Sequence, residues 1–265
     1  MSLDDRAAAA ALDQNFAELL AWYASWPGGE LIQDAELWRC YTGVAFRAVN
    51  VAARPRLSFP TADGTIRDAT RWFVERGSPW RWLLGATAEP ADLHDRLLAA
   101  GLEMVSDNPG MALDIDSFTD DRPLPSGASV ERVVDEPGLI RWREVQRRGL
   151  ELDVARDEAW WTAHRRPGFT VDAPLINWVA SVDGRPVSAA ALFVGGGVAG
   201  IYNVVTVPEA RGKGFGRAVT AEALEEGRRR GLRTAVLGAS EMGHPVYRGL
   251  GFRDVSRLRS YTVPA

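Results

Sequence analysis

The sequence predicts a mixed α/β (α+β) fold, a sheet flanked by helices and built as two related halves. Apolar patterns of strand length and helix length alternate along the whole chain. A polar, proline-bearing stretch from Asp116 to Gly127 divides that alternation near its middle. The 265 residues exceed the usual size of one domain and suit two, taken here as 1–122 and 123–265.

Each element follows from local pattern. Residues 8–25 place Phe16, Leu19, Leu20 and Tyr23 at helical spacing, and Pro27-Gly28-Gly29 stops the helix. Two short strands are expected within 36–53 around Thr42-Gly43, then helix 64–76, strand 80–86, helix 90–100 and strand 110–115. Beyond the linker come strand 128–134, helix 136–149 and a tryptophan-bearing helix at 156–164. Strands 175–182 and 186–194 flank Asp183-Gly184, a strong short-hairpin signal. Strand 199–207, helix 215–230, strand 233–239, helix 244–250 and closing strands near 252–263 complete the chain.

A repeat supports the two halves. Asn50-Val51 and Asn203-Val204 both fall in expected strands, and 34 positions on (84 − 50; 237 − 203) stand Leu84-Gly85-Ala86-Thr87 and Leu237-Gly238-Ala239-Ser240. Each is followed by a short helix and then by Gly101-Leu102 or Gly251-Phe252.

Composition narrows the function classes. One cysteine, Cys40, excludes an intrachain disulfide, and His94, His164 and His244 show no metal-ligand spacing, so no metal site is expected. A net charge of -4 gives no basic excess suited to nucleic acid or an anionic membrane. No apolar stretch is long enough for a membrane span and the start is acidic, so a cytoplasmic protein is the expectation. The sequence leaves the oligomeric state open. Of 31 basic residues, Lys213 is the single lysine.

That lysine lies in the most informative segment, Val204-Val205-Thr206-Val207-Pro208-Glu209-Ala210-Arg211-Gly212-Lys213-Gly214-Phe215-Gly216-Arg217. A β-branched strand enters a glycine-rich turn and then a helix. Glycines allow a tight turn and close approach of a ligand. A helix N-terminus offers unpaired N–H groups and a positive dipole end, together an anion cradle. Arg211, Lys213 and Arg217 add positive charge, so a phosphate or pyrophosphate is the expected guest. The segment is not a P-loop, because Gly214 follows the lysine where Ser or Thr is needed. A formal Gly-x-Gly-x-x-Gly at Gly195, Gly197 and Gly200 leads into a strand rather than a helix, and reads as a hairpin turn.

The Arg-x-x-Gly-x-Gly pattern of Arg211, Gly214 and Gly216 resembles the acyl-CoA pyrophosphate loop of the GCN5-related N-acetyltransferases (GNAT). Tyr247-Arg248-Gly249-Leu250-Gly251-Phe252 resembles that family's Tyr-x-x-x-Gly-Phe ending. The resemblance covers residues 128–262, with 30–116 similar to a degenerate copy, as in tandem members. It implies a mostly antiparallel sheet and direct attack of an amine on the thioester of acetyl-CoA in a ternary complex. It places the pantetheine arm of coenzyme A along Val205, Thr206 and Val207, and the pyrophosphate at Arg211, Gly212, Lys213, Gly214, Phe215, Gly216 and Arg217. An N–H near Val204 or Val205 would face the thioester oxygen. Tyr247 is the expected general acid, since a phenol is protonated at neutral pH. The acceptor would be a primary amine of a small molecule or peptide. A non-catalytic acyl-CoA-binding module and an acyltransferase using another acyl donor are the alternatives.

The general base stays open. The family's strand glutamate is missing near Gly200; Tyr202 and Asn203 could order a relaying water, and Glu241 and His244 are further candidates. Glu209 reads as solvated. Tyr202, Asn203, Ser240, Glu241, Trp160 and Trp161 are the expected acceptor-side residues, the tryptophans either stacking a substrate or packing the core. Arg228-Arg229-Arg230 reads as a solvated helix cap. In the first half, Ser58-Phe59-Pro60-Thr61-Ala62-Asp63 takes the place of the glycine loop without a glycine, and Leu97 stands in the place of Tyr247. That half is therefore expected neither to bind coenzyme A nor to catalyse, giving one cofactor per chain.

Overall fold

The structure, a computed structural model, describes residues 3–165 and 173–264. Eleven strands form one sheet. They are β1 (Glu30–Gln33), β2 (Trp38–Tyr41), β3 (Val51–Ala53), β4 (Arg81–Leu84), β5 (Glu103–Asp114), β6 (Ala128–Arg132), β7 (Leu175–Val182), β8 (Arg185–Gly195), β9 (Val198–Thr206), β10 (Thr234–Gly238) and β11 (Arg253–Thr262). Their spatial order is β1-β2-β3-β4-β11-β5-β10-β9-β8-β7-β6. Among the described residues only two neighbouring pairs, β3–β4 and β9–β10, run parallel. The expected mixed, mostly antiparallel sheet is thus what forms.

The last strand of each half lies within the territory of the other. β5 pairs with β10, β11 pairs with β4, and β5 and β11 pair along most of their length at the centre. The sheet therefore runs continuously from one half into the other. β5 is much longer than the strand expected at 110–115, and 253–262 is one strand rather than several. The hairpin partner β1 was not expected, because Glu30–Gln33 lies at the sheet's edge and carries no fully buried residue to create a pattern.

Helices α1 (Asp5–Ala24), α2 (Ala62–Val74), α3 (Leu93–Ala99), α4 (Glu136–Gly149), α5 (Val154–His164), α6 (Phe215–Arg229) and α7 (His244–Leu250) flank the sheet. Their starts follow ordinary capping chemistry. Asp4, Asp135 and Asp153 accept a backbone N–H of the first turn of α1, α4 and α5. Gly251, at φ 99°, ends α7 in the left-handed conformation that favours glycine. The expected Asp183-Gly184 turn has both residues at positive φ, 50° and 78°, as a tight two-residue hairpin requires. α1 buries Leu12, Leu19, Leu20 and Tyr23, and through them joins two neighbouring apolar clusters of the core.

The stretch 116–127 is not a loose tether. Asp120 is buried and paired with both Arg122 and Arg217, and Arg217 also donates to the carbonyls of Arg122 and Pro123. Arg228 donates to the carbonyls of Ile115 and Phe118, so it fastens this stretch to α6 rather than merely capping a helix in solvent. The strand register also separates the two Asn-Val pairs. Asn203 lies inside β9 at φ 52°, whereas Asn50 precedes β3 at φ -109° and binds Thr42, Val44, Phe46 and Pro79 through its side chain. The two dipeptides therefore do not occupy equivalent positions. Among the described residues no helix is long and apolar enough to cross a membrane, and no cluster of His, Cys, Asp or Glu suits a metal ion.

Candidate functional site

β9 and β10 pair only at Ala199–Ala235 and Gly200–Val236, then diverge. The divergence opens a cleft of about 1020 Å³ bordered by Val204, Thr206, the 210–217 turn, the 240–243 turn and Tyr247. The inner wall is the unpaired edge of β9. Val207 donates its amide to Val187, and Ser188 donates its hydroxyl to the carbonyl of Val205, so these residues face β8. Amides alternate along an extended strand. Those of Val204 and Thr206 therefore face the cleft, which moves the expected pairing groups off Val205 and Val207 by one residue.

One end of the cleft is the start of α6. The first intrahelical bond runs from Ala218 to Gly214, so the amides of Phe215, Gly216 and Arg217 have no partner within the helix. Gly212 and Gly214 adopt φ 74° and 87°, and a Cβ on Gly216 would meet only the Thr206 hydroxyl, at 3.4 Å. This is a bare backbone cradle that a side chain would fill, and it fits a diphosphate. The expected cations behave differently from one another. Arg211 donates to the carbonyls of Thr206 and Gly149, and Arg217 is committed to Asp120 and the 122–123 backbone. Lys213 is exposed, its ammonium on the carbonyl of Glu209 at 2.9 Å. The cradle thus relies on backbone amides, with two arginines serving as struts around it. Glu209 is exposed and paired with Arg148.

The opposite wall carries Tyr247. Its ring is buried, edge-on to Phe252 and packed over Gly243, where a Cβ would lie 2.9 Å from the ring. Among the described residues its hydroxyl makes no hydrogen bond, and burial raises its pKa well above the ordinary phenol value. It is held as a neutral donor at the cleft. Ser240 and Glu241 border the same cleft, the Ser240 hydroxyl accepting from the Gly243 amide. His244 bonds Asp254 at 2.8 Å.

The other expected acceptor-side residues are withdrawn from open surface. Trp160 and Trp161 are buried in the core with Trp142, Val205 and Phe215, so they pack the fold. Tyr202 donates its hydroxyl to Asn15 of α1 at 2.6 Å, and burial raises its pKa. Asn203 occupies a bulge, where Ala189 faces Val205 and Ala191 faces Tyr202, leaving two residues of β9 opposite one of β8. Its carbonyl accepts from Gln146 at 2.8 Å, and its amide nitrogen lies 3.3 Å from Nε2 of His164. His164 is buried, with Nδ1 2.8 Å from the carbonyl of Trp160 and Nε2 2.9 Å from the Tyr23 hydroxyl. Sequence reading gives Gln146, His164 and Tyr23 no part in the site. The available signal was a polar residue on an apolar helical stripe: Gln146 after Leu139 and Trp142, His164 after Trp160.

A strand edge opened by divergence, a glycine-built cradle and a buried phenol facing it define an acyl-transfer type of site. Residues 138–252 match the family model described as Acetyltransferase (GNAT) family. No curated protein matches the chain. Among solved structures, a GCN5-related N-acetyltransferase from Kribbella flavida is 20% identical, covers 95% of this chain and 94% of its own, and has a TM-score of 0.75. A GCN5-related N-acetyltransferase from Sphaerobacter thermophilus is 17% identical, covers 94% and 91%, with a TM-score of 0.63. A tandem GNAT protein from the clavulanic acid biosynthesis pathway is 16% identical, covers 94% and 88%, with a TM-score of 0.62. These likenesses concern the fold.

Proposed function

We propose that the chain is an acetyl-CoA-dependent N-acetyltransferase acting on a primary amine of a small molecule or peptide. The observation that carries this reading is that a glycine-built cradle at Gly212, Gly214 and Gly216 and the buried phenol of Tyr247 line one and the same cleft. Acetyl-CoA supplies an activated thioester when bound. The amides of Phe215, Gly216 and Arg217 would hold its diphosphate, and Val204 and Thr206 its pantetheine arm, as an added strand is held. The Val204 amide would polarise the thioester oxygen. Tyr247 would give its proton to the departing thiolate sulfur. The amine proton would leave through water, with Glu241 and His244 as titratable groups near that end of the chain's site.

We further propose the division into a degenerate half, 1–122, and a cofactor-binding half, 123–265. The start of α2 supports it. Asp63 occupies the first turn and pairs with Arg96, so an acid stands where the other half presents bare amides.

Release of free thiol from acetyl-CoA, followed with a panel of primary amines, tests the reading. Turnover that depends on an amine supports it. Tight acetyl-CoA binding without turnover for any amine points to a binding module, and preference for a longer acyl-CoA points to another donor.

A further inference from the structure

Asn203 is a non-glycine residue in left-handed conformation inside a strand, at φ 52°. Asparagine tolerates this conformation better than other non-glycine residues, yet inside a strand it is unusual and calls for contacts that hold it. Here three helices converge on it. Gln146 of α4 donates to its carbonyl at 2.8 Å, and His164 of α5 meets its side-chain amide at 3.3 Å. Tyr23 of α1 meets the same imidazole at 2.9 Å.

The chemistry of these contacts is determined. The carbonyl of Trp160 can only accept, so Nδ1 of His164 carries the proton. Nε2 therefore carries a single lone pair, which accepts from the Tyr23 hydroxyl at 2.9 Å, with the Asn203 amide nitrogen sharing it at the longer distance of 3.3 Å. The imidazole is enclosed by Trp142 and Trp160, with ring centroids 5.0 and 4.0 Å away, which favours its neutral form. The bulge that these bonds brace lies directly before Val204, whose amide faces the cleft by alternation from Val205 and Val207. A second brace from α1 acts one residue earlier, where Asn15 accepts from Tyr202 and donates to the carbonyl of Gly195.

We propose that Gln146, His164 and Tyr23 are positioning residues that hold the Asn203 bulge so that the Val204 amide faces the thioester oxygen. Tyr23 and Asn15 belong to the N-terminal helix. The first half, which lacks a cradle of its own, thus supplies part of the frame for the reacting strand of the second. The inference rests on the acyl-transfer reading for its purpose, though not for its geometry.

Gln146→Met and Tyr23→Phe test it. Each removes one donor and leaves a side chain of similar volume. Gln146→Met should lower kcat about tenfold and Tyr23→Phe about threefold, with KM for acetyl-CoA within twofold of wild type. The backbone chemical shifts of Asn203, which report a left-handed φ, should move toward the extended range in Gln146→Met. A folded Gln146→Met protein with unchanged Asn203 shifts overturns the proposal, as does a fall in kcat matched by an equal rise in KM. If wild-type protein transfers no acyl group to any amine, the acyl-transfer reading falls, and the Asn203 shifts alone decide whether the bulge is held in this way.

Discussion

Asp13 of α1 accepts both the backbone amide and the hydroxyl of Thr87, at 2.7 and 2.8 Å. This places a carboxylate where β3 and β4, the other parallel pair, begin to diverge. The plug is tight. A Cβ on Gly85 would fall 1.9 Å from the Asp13 carboxylate, and only about 10 Å³ of space remains beside Ala53, Arg54 and Thr87. The corresponding space in the second half is the large cleft beside Gly214.

One binding site per chain is therefore expected. Titration calorimetry with acetyl-CoA should give a stoichiometry near one. Two equivalent sites would mean that Asp13 yields to the ligand, and the degenerate reading of the first half would fall.

The same carboxylate sets a pH dependence. Burial raises its pKa, against the lowering effect of the Thr87 bonds, and among the described residues its Oδ1 has no hydrogen-bond partner. A group whose folded pKa is raised binds protons more readily in the folded state, so its contribution is present below the unfolded value and is lost as pH rises through the folded one. Asp13→Asn keeps an acceptor for Thr87 and cannot ionise. At neutral pH it should melt at the same temperature as wild type or higher, and the fall in stability on leaving the acidic range should flatten. Thermal melts across that range measure both.

Much of this was legible in the sequence because it is written in backbone chemistry. Glycines 212, 214 and 216 between a β-branched strand and a helix announce a bare cradle, and the Tyr247 ending is equally local. What the sequence concealed depends on long-range pairing. Arg217 reads as a phosphate ligand until its contact with Asp120, 97 residues away, is seen. Trp160 and Trp161 read as a binding surface until their burial is seen. No local pattern places β11 between β4 and β5, since that pairing joins strands far apart in the sequence.

His164 should make the protein acid-sensitive. Burial among the tryptophans pushes its pKa from the ordinary imidazole value of about 6.5 down to about 4. Between those values the unfolded chain takes up a proton that the folded chain refuses, so stability is full above the unfolded value and falls as pH drops toward 4. The loss is on the order of 3 kcal/mol, taking each unit as about 1.4 kcal/mol. His164→Gln retains an acceptor without titrating, and its stability should change much less over that window. An equal slope in both proteins would assign the acid sensitivity to other groups.

Arg217 should matter more for stability than for cofactor binding. Asp120 is largely buried, and its carboxyl stays below the ordinary range because bonds from Arg122 and Arg217 outweigh the burial that would raise it. Arg217→Leu leaves that carboxylate short of a partner, a loss of about 1–3 kcal/mol. Denaturant unfolding should show it, while the affinity for acetyl-CoA changes by severalfold at most.

Tyr247→Phe removes one oxygen and leaves the ring against Gly243 and Phe252. If the phenol protonates the departing thiolate, kcat at saturating substrates should fall by roughly 10²-fold. The affinity for acetyl-CoA should hardly change, because the cradle and strand edge are intact. A near-normal kcat would leave Tyr247 as packing alone.

Lys213 and Gly214 are neighbours with opposite expected sensitivities. The ammonium of Lys213 lies on the carbonyl of Glu209 and adds its charge to the cradle from an exposed position, where solvent screens it. Lys213→Ala should weaken acetyl-CoA binding only a few-fold, with the residual charge effect vanishing at high salt. Gly214 starts α6 at φ 87°, a conformation that costs other residues about 1–2 kcal/mol. Gly214→Val must either bear that strain or turn the first amides of the helix away, and a β-branched side chain is especially poorly suited to it. Either course disrupts the cradle, so binding should fall by 10²-fold or more while the rest of the chain stays folded. Gly216→Ala is the intermediate case, since its Cβ meets Thr206 at an ordinary contact distance and the protein itself tolerates it. Ranked by calorimetry, the losses should follow the order Lys213→Ala, Gly216→Ala, Gly214→Val. A reversed order would mean that side-chain charge, and not backbone geometry, holds the diphosphate.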